Sequence, residues 1–188
     1  EVLAKRFDIP TVRLLNDLEA TAYGILLLRP DELHVLNAGV PPSHPQPSTL
    51  IAAGTGLGNS ILFWDGIRYW PMPPEGGHAD FAARSPREMQ LVEALTPIFG
   101  RVGNEVVISG PGIVNIYQFT HQAFGTGPLP TPNSLLPSPL CSAVGSVKEA
   151  SDLPAKISKA AWERRCPMCV EALDMFVSAY GAEAGNLA

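Results

Sequence analysis

The stretch that most constrains this chain is TLIAAGTGLGNSILFW, residues 49–64. Two apolar, β-branched runs flank a core of three glycines. TLIAA reads as a buried strand, GTGLG as a turn and NSILFW as the return strand. Asp65-Gly66 then gives a second hairpin turn into IRYW, so an antiparallel meander is expected here. The glycine turn is GxGxG, not GxGxxG, and it opens a strand where a dinucleotide fingerprint would open a helix. It also lacks the Gly-Lys-Ser/Thr of a P-loop. A plain hairpin needs one or two glycines. Three glycines and Thr55 leave backbone amides and a hydroxyl that can face an anion.

The remaining elements follow from spacing and caps. EVLAKRF reads as helix. TVRLL reads as a strand ending at Asn16-Asp17, with LEATAYGILLL a helix after it. Asn16 and Asp17 therefore stand where α/β folds place ligands, at a strand end before a helix. Both are also favoured helix caps, and the sequence leaves the two roles open. SPREMQLVEALTPIFG carries Ser85 as cap, Pro86 at the first helical position, Glu88 closing a capping box and Gly100 at the end. VVIS reads as a short strand before a helix from about Gly112. Residues 146–162 read as a helix broken at Pro154 and restarted, and 168–187 as the last helix. Two proline-rich stretches, VPPSHPQPS and GPLPTPNSLLPSPL, read as surface loops, with His44 exposed in the first.

Composition narrows the function classes. Of 188 residues, 46% are hydrophobic and 16% charged, which supports a sizeable core. A net charge of −5 lacks the basic footprint of a nucleic-acid binder. No apolar run approaches the roughly 20 residues of a membrane helix, and no secretory signal is visible. Three cysteines without such a signal point to a reducing compartment. Cys166 and Cys169 form CPMC, a redox or zinc half-motif. Zinc needs four ligands and no second CxxC or HxxxH follows, so ordinary thiols at a helix start are the expectation and no metal ligand is assigned.

PEGGHADF, residues 74–81, sets Glu75, His78 and Asp80 around two glycines. The simple reading is a polar surface turn. The glycines would also let Glu75 and His78 converge, and a carboxylate with an imidazole suits a hydroxyl-rich ligand. Metal ligation competes, but no second histidine is near in sequence. Glu105 adds a third carboxylate near a turn or strand end. SGPGI either aims amides at a ligand or packs its helix on the sheet.

Taken in order, LLNDLEATAYGI, AAGTGLGNSIL, PEGGHADF and EVVISGPGIVNIY resemble the bacterial-type glucokinases. These are ATP-dependent hexokinases of the actin-like ATPase superfamily. The resemblance covers nearly the whole chain. It implies an α/β, ribonuclease H-like, two-lobed kinase fold, with 1–47 in the small lobe and 48–188 in the large. It implies Asp17 as the base that takes the proton of the glucose 6-hydroxyl, and Asn16, Glu75, His78 and Glu105 as sugar ligands. Gly54, Thr55 and Gly56 would face the phosphates of ATP, with Mg2+ as the accompanying ion. The resemblance gives Asp80 no role, and a cap or brace of the loop is what its position suggests. A cytoplasmic homodimer is implied, with glucose and ATP as partners and neither nucleic acid nor membrane. Relatives among the repressor-and-sugar-kinase proteins carry a cysteine-rich zinc motif after the histidine, and this chain does not. Pro74 stands where the family commonly has glycine. The family's opening Asp-Gly-Gly-Thr phosphate motif and closing adenosine loop are not in this sequence. The fold is thus expected incomplete at both ends, and the 188 residues alone are expected to be inactive. A kinase for another hexose, or a non-catalytic sugar-binding remnant, are the alternatives.

Overall fold

A computed structural model describes residues 2–72, 74–121 and 140–188. The chain folds as two compact units, residues 1–50 with 59–74 and residues 51–58 with 75–188.

In the first unit, helix α1 spans Val2–Phe7 and α2 spans Asp17–Ile25. Asn16 caps α2, its Oδ1 accepting from the Leu18 and Glu19 amides at 2.8 and 3.4 Å. The expected strand TVRLL does not form. Residues 11–16 carry no regular structure, and Leu14 is 83% exposed. A strand takes its hydrogen bonds from a neighbour, and its own alternation cannot supply one. Arg13 instead pairs with the buried carboxylate of Glu19 at 2.7 Å.

The meander forms as expected. Strands β1 (Ser48–Ala53), β2 (Leu57–Trp64) and β3 (Tyr69–Met72) make one sheet in the order β1-β2-β3. The β2–β3 pairing is antiparallel, with Ile61 opposite Met72 and Trp64 opposite Tyr69. Pro71 is tolerated because β3 is an edge of the sheet. Asp65 holds the turn, its carboxylate accepting from the Ile67 and Arg68 amides, both at 2.8 Å, and from the Trp70 indole at 2.5 Å. Helix α2 packs against β3. The stretch 40–47 has no regular structure, and His44 is exposed as expected. Most of the second proline-rich stretch, 127–139, lies outside the described residues.

The second unit is mainly helical. Helix α3 spans Pro86–Phe99 with the expected capping box: the Glu88 amide donates to Ser85 Oγ at 3.2 Å, and the Ser85 amide donates to the Glu88 carboxylate at 3.1 Å. Helix α4 covers Asn104–Val107 and α5 covers Gly110–Thr120. The VVIS strand does not form: Val106 and Val107 end α4, and Ile108 and Ser109 make the bend before α5. Val107 and Ile108 are buried in a helical core, and burial overrides the β preference of branched side chains. Helix α6 spans Leu153–Trp162. Pro154 sits in its first turn, where a missing amide costs nothing, so it starts the helix and does not break one; 146–149 are not helical. Helix α7 spans Pro167–Leu187. Helices α5, α6 and α7 pack together over Ile113, Ile116, Tyr117, Leu153, Ile157 and Cys169, all nearly inaccessible. Tyr180 of α7 donates its hydroxyl to the Ile51 carbonyl at 3.0 Å and so ties this helix to β1.

Candidate active site

The glycine turn after β1 is pinned by short-range and long-range bonds. The Gly54 amide donates to the Gly56 carbonyl at 2.8 Å, closing the turn on itself. The Gly54 carbonyl accepts from the Gly110 amide at 2.8 Å, so the first residue of α5 is anchored on the turn. This gives SGPGI its packing role. Gly54 and Thr55 remain exposed.

Glu105 in α4 reaches the same turn. Its Oε2 accepts from the Leu57 amide at 3.1 Å. A Cβ on Gly56 would stand 2.5 Å from that oxygen, closer than van der Waals packing allows. The carboxylate therefore lies against the backbone of the glycine turn, and a Cβ at Gly56 would make the Glu105 side chain shift. Glu105, assigned to sugar, is thus held by the residue that follows the phosphate-assigned Gly54–Gly56 turn.

PEGGH arrives at the other side of Leu57. Gly76–His78 form one 3-10 turn, with the His78 amide donating to the Glu75 carbonyl at 3.1 Å. Gly77 is buried against the Leu57 carbonyl, and a Cβ there would run into that oxygen. Glu75 and His78 stay exposed on either side of it. The segment is then stitched to the approach to α4. The Asn104 amide donates to the Ala79 carbonyl at 2.8 Å, and the Phe81 amide to the Val102 carbonyl at 3.0 Å. Arg101 donates to both the His78 carbonyl at 2.7 Å and the Asp80 carboxylate at 2.8 Å. Asp80 is therefore a brace for the loop. Sequence reading missed Arg101 and Leu57, whose partners lie far along the chain.

Asn16 and Asp17 sit in the first unit, exposed at the start of α2. The cap uses the oxygen end of the Asn16 amide, and its NH2 end carries two further donors. One Asp17 oxygen, Oδ1, accepts from the Leu18 amide at 2.8 Å, which orients the carboxylate at the helix N-terminus. The structure thus makes Asn16 a cap without using up its capacity to donate.

A model of the glucokinase family matches residues 1–188. The chain belongs to the glucokinase family. It is 40% identical to a glucokinase of Nostoc punctiforme, covering all of this chain and 55% of that protein. It is 41% identical to a glucokinase of a Nostoc species, again over all of this chain and 55% of the relative. Among solved structures, a glucokinase from an Antarctic psychrotroph superposes with a TM-score of 0.73 at 25% identity, over 97% of this chain and 50% of that one. A Balamuthia mandrillaris glucokinase, solved in complex with glucose, shares the fold at a TM-score of 0.59 and 21% identity, over 89% of this chain and 46% of that one. The fold is therefore the α/β glucokinase fold, and the chain spans about half the length of the curated relatives it matches. No helix among the described residues is long and apolar enough to cross a membrane.

Proposed function

We propose that the whole protein is a glucokinase that transfers the terminal phosphoryl group of ATP to the 6-hydroxyl of glucose. The observation that carries this reading is the Glu105 carboxylate seated on the Gly54–Gly56 turn. A sugar-holding acid beside a phosphate-facing turn is the juxtaposition such a transfer requires. The exposed turn fits a phosphate chain, because nothing stands within 4 Å of a Cβ placed on Gly54.

When bound, ATP with Mg2+ supplies an activated phosphoryl group whose charge the ion offsets. The residues of this chain do the rest. The Gly54–Gly56 turn faces the phosphates, with the Thr55 and Gly56 amides and the Thr55 hydroxyl as donors while the Gly54 amide closes the turn. Glu75, His78 and Glu105 hold the sugar hydroxyls, and the Asn16 amide donates to another. Asp17 takes the 6-hydroxyl proton as the oxygen–phosphorus bond forms and ADP leaves. We assign no residue of this chain to Mg2+. The protein would work in the cytoplasm as a homodimer, with residues 1–47 in the small lobe and 48–188 in the large lobe.

The test is Asp17→Ala in the full-length protein. Loss of general-base help predicts a kcat lower by about 10²–10⁴-fold with glucose affinity retained. An unchanged kcat removes Asp17 from the role of base. Calorimetric titration of glucose, with a Glu75→Ala, His78→Ala double variant as control, tests the sugar clamp separately. A panel with mannose and glucosamine tests the choice of hexose.

A further inference from the structure

A second constellation lies in the second unit, outside the residues assigned to glucose or ATP. His121 ends α5, Cys141 lies in a turn, Cys166 caps α7 and Cys169 stands in its first turn. All three cysteines are free thiols, and Cys166 and Cys169 are buried. The four ligand atoms, His121 nitrogen and three sulfurs, lie within 4.8 Å of one another. We propose that His121, Cys141, Cys166 and Cys169 form a structural zinc site.

The distances agree with a tetrahedron. Zinc–sulfur bonds of about 2.3 Å and zinc–nitrogen bonds of about 2.0 Å give tetrahedral edges of about 3.8 Å between sulfurs and about 3.5 Å between sulfur and nitrogen. Cys141 Sγ is 3.8 Å from Cys169 Sγ, and Cys166 Sγ is 3.4 Å from His121 Nε2. An S–S bond would need about 2.05 Å. The histidine is also prepared for the ion. Its Nδ1 lies 2.8 Å from the Tyr117 carbonyl, which can only accept, so Nδ1 carries the proton and Nε2 offers a lone pair toward Cys166. A backbone carbonyl that fixes the tautomer in this way is the usual support of a metal-bound imidazole.

Three thiolates and one imidazole select a borderline-soft divalent ion, and four protein ligands leave no open position. Binding forms three Zn–S bonds and one Zn–N bond and releases the thiol protons to solvent. The role is therefore structural. The ion would fasten the end of α5, the start of α7 and the Cys141 turn to one point. The other end of α5 carries Gly110, which holds the glycine turn. At 1.5 Å per residue, the 11-residue α5 puts about 16 Å between anchor and turn. The expectation that CPMC holds ordinary thiols rested on the lack of a second paired motif. The fold supplies the missing ligands singly, from His121 and Cys141.

The experiment uses the full-length protein, purified reduced from zinc-supplemented cells. Elemental analysis should find about one zinc per chain. After chelation under reducing conditions, titration with Co2+ should give thiolate charge-transfer bands and the visible bands of a tetrahedral ion, saturating at one equivalent. Chelation should lower the melting temperature and Zn2+ should restore it. A Cys166→Ser, Cys169→Ser variant should lose the metal. If that variant does not fold, the wild-type metal content and cobalt spectrum decide alone. A folded, reduced wild type without stoichiometric zinc overturns the proposal, as does a cobalt spectrum without thiolate bands or a Cys141–Cys169 disulfide in the isolated protein.

Discussion

Gly77→Ala is the substitution whose cost the structure defines best. The added methyl would meet the Leu57 carbonyl oxygen inside any distance that real Cβ atoms keep. That neighbour is backbone, so no rotamer change relieves the overlap. Leu57 is only 4% exposed, and its amide is already engaged by Glu105, so its peptide has little room to retreat. Overpacking of this kind costs about 1–3 kcal/mol. For a chain of 188 residues, each kcal/mol is worth about 2–4 °C, so the melting temperature should fall by roughly 2–12 °C. Gly181→Ala is the matched control. Gly181 is exposed in mid-α7 with nothing within 4 Å of a new Cβ, and alanine there should add about 0.5–1 kcal/mol and raise the melting temperature. Calorimetric melts of the two variants and the parent give the comparison. Because Gly77 lies between Glu75 and His78, Gly77→Ala should also weaken glucose binding. A Gly77→Ala protein that melts with the parent and binds glucose equally would refute the reasoning, by showing that the Leu57 peptide yields freely.

Three further outcomes follow from individual hydrogen bonds. Glu105→Ala leaves the Leu57 amide without its acceptor and should cost about 1–3 kcal/mol, whereas Glu105→Gln keeps an oxygen there, so melts should separate the two while both weaken glucose binding by calorimetry. The Asp65 carboxylate titrates below its ordinary range, held down first by the Arg68 amide and then by the Trp70 indole and the Ile67 amide. A depressed folded pKa means that this stabilisation is complete above the unfolded value of about 3.9 and is lost as pH falls through the lower folded value. The Trp70 indole resonance should therefore shift on acidification below about pH 4 in the parent and show no such transition in Asp65→Asn. Ser85→Ala removes the cap of α3 and should cost about 1 kcal/mol, read as a lower melting temperature.

What was legible in the sequence was whatever a short window determines. The capping box of α3 is complete within Ser85–Glu88, and the Asp65-Gly66 turn is complete within four residues. The glycine turn was legible for the same reason, since the need for glycine shows as glycine. TVRLL and VVIS failed because a run of branched residues states only that the segment is to be buried or paired. Whether it meets a strand or a helical core is settled by segments far away. The site divides along the same line. Glu75 and His78 stand within one motif, but their surroundings come from elsewhere: Arg101 bonds the His78 carbonyl across 23 residues, and Leu57, which backs Gly77, is held by Glu105 across 48. The His121–Cys166 approach spans 45 residues and has no local pattern at all. A metal site assembled from two single ligands and one pair is invisible to a search for paired motifs, although each ligand type is conspicuous alone. The glycines offer the way in. Gly77 is small because the Leu57 backbone presses against it, so a glycine held against distant backbone marks where another element arrives.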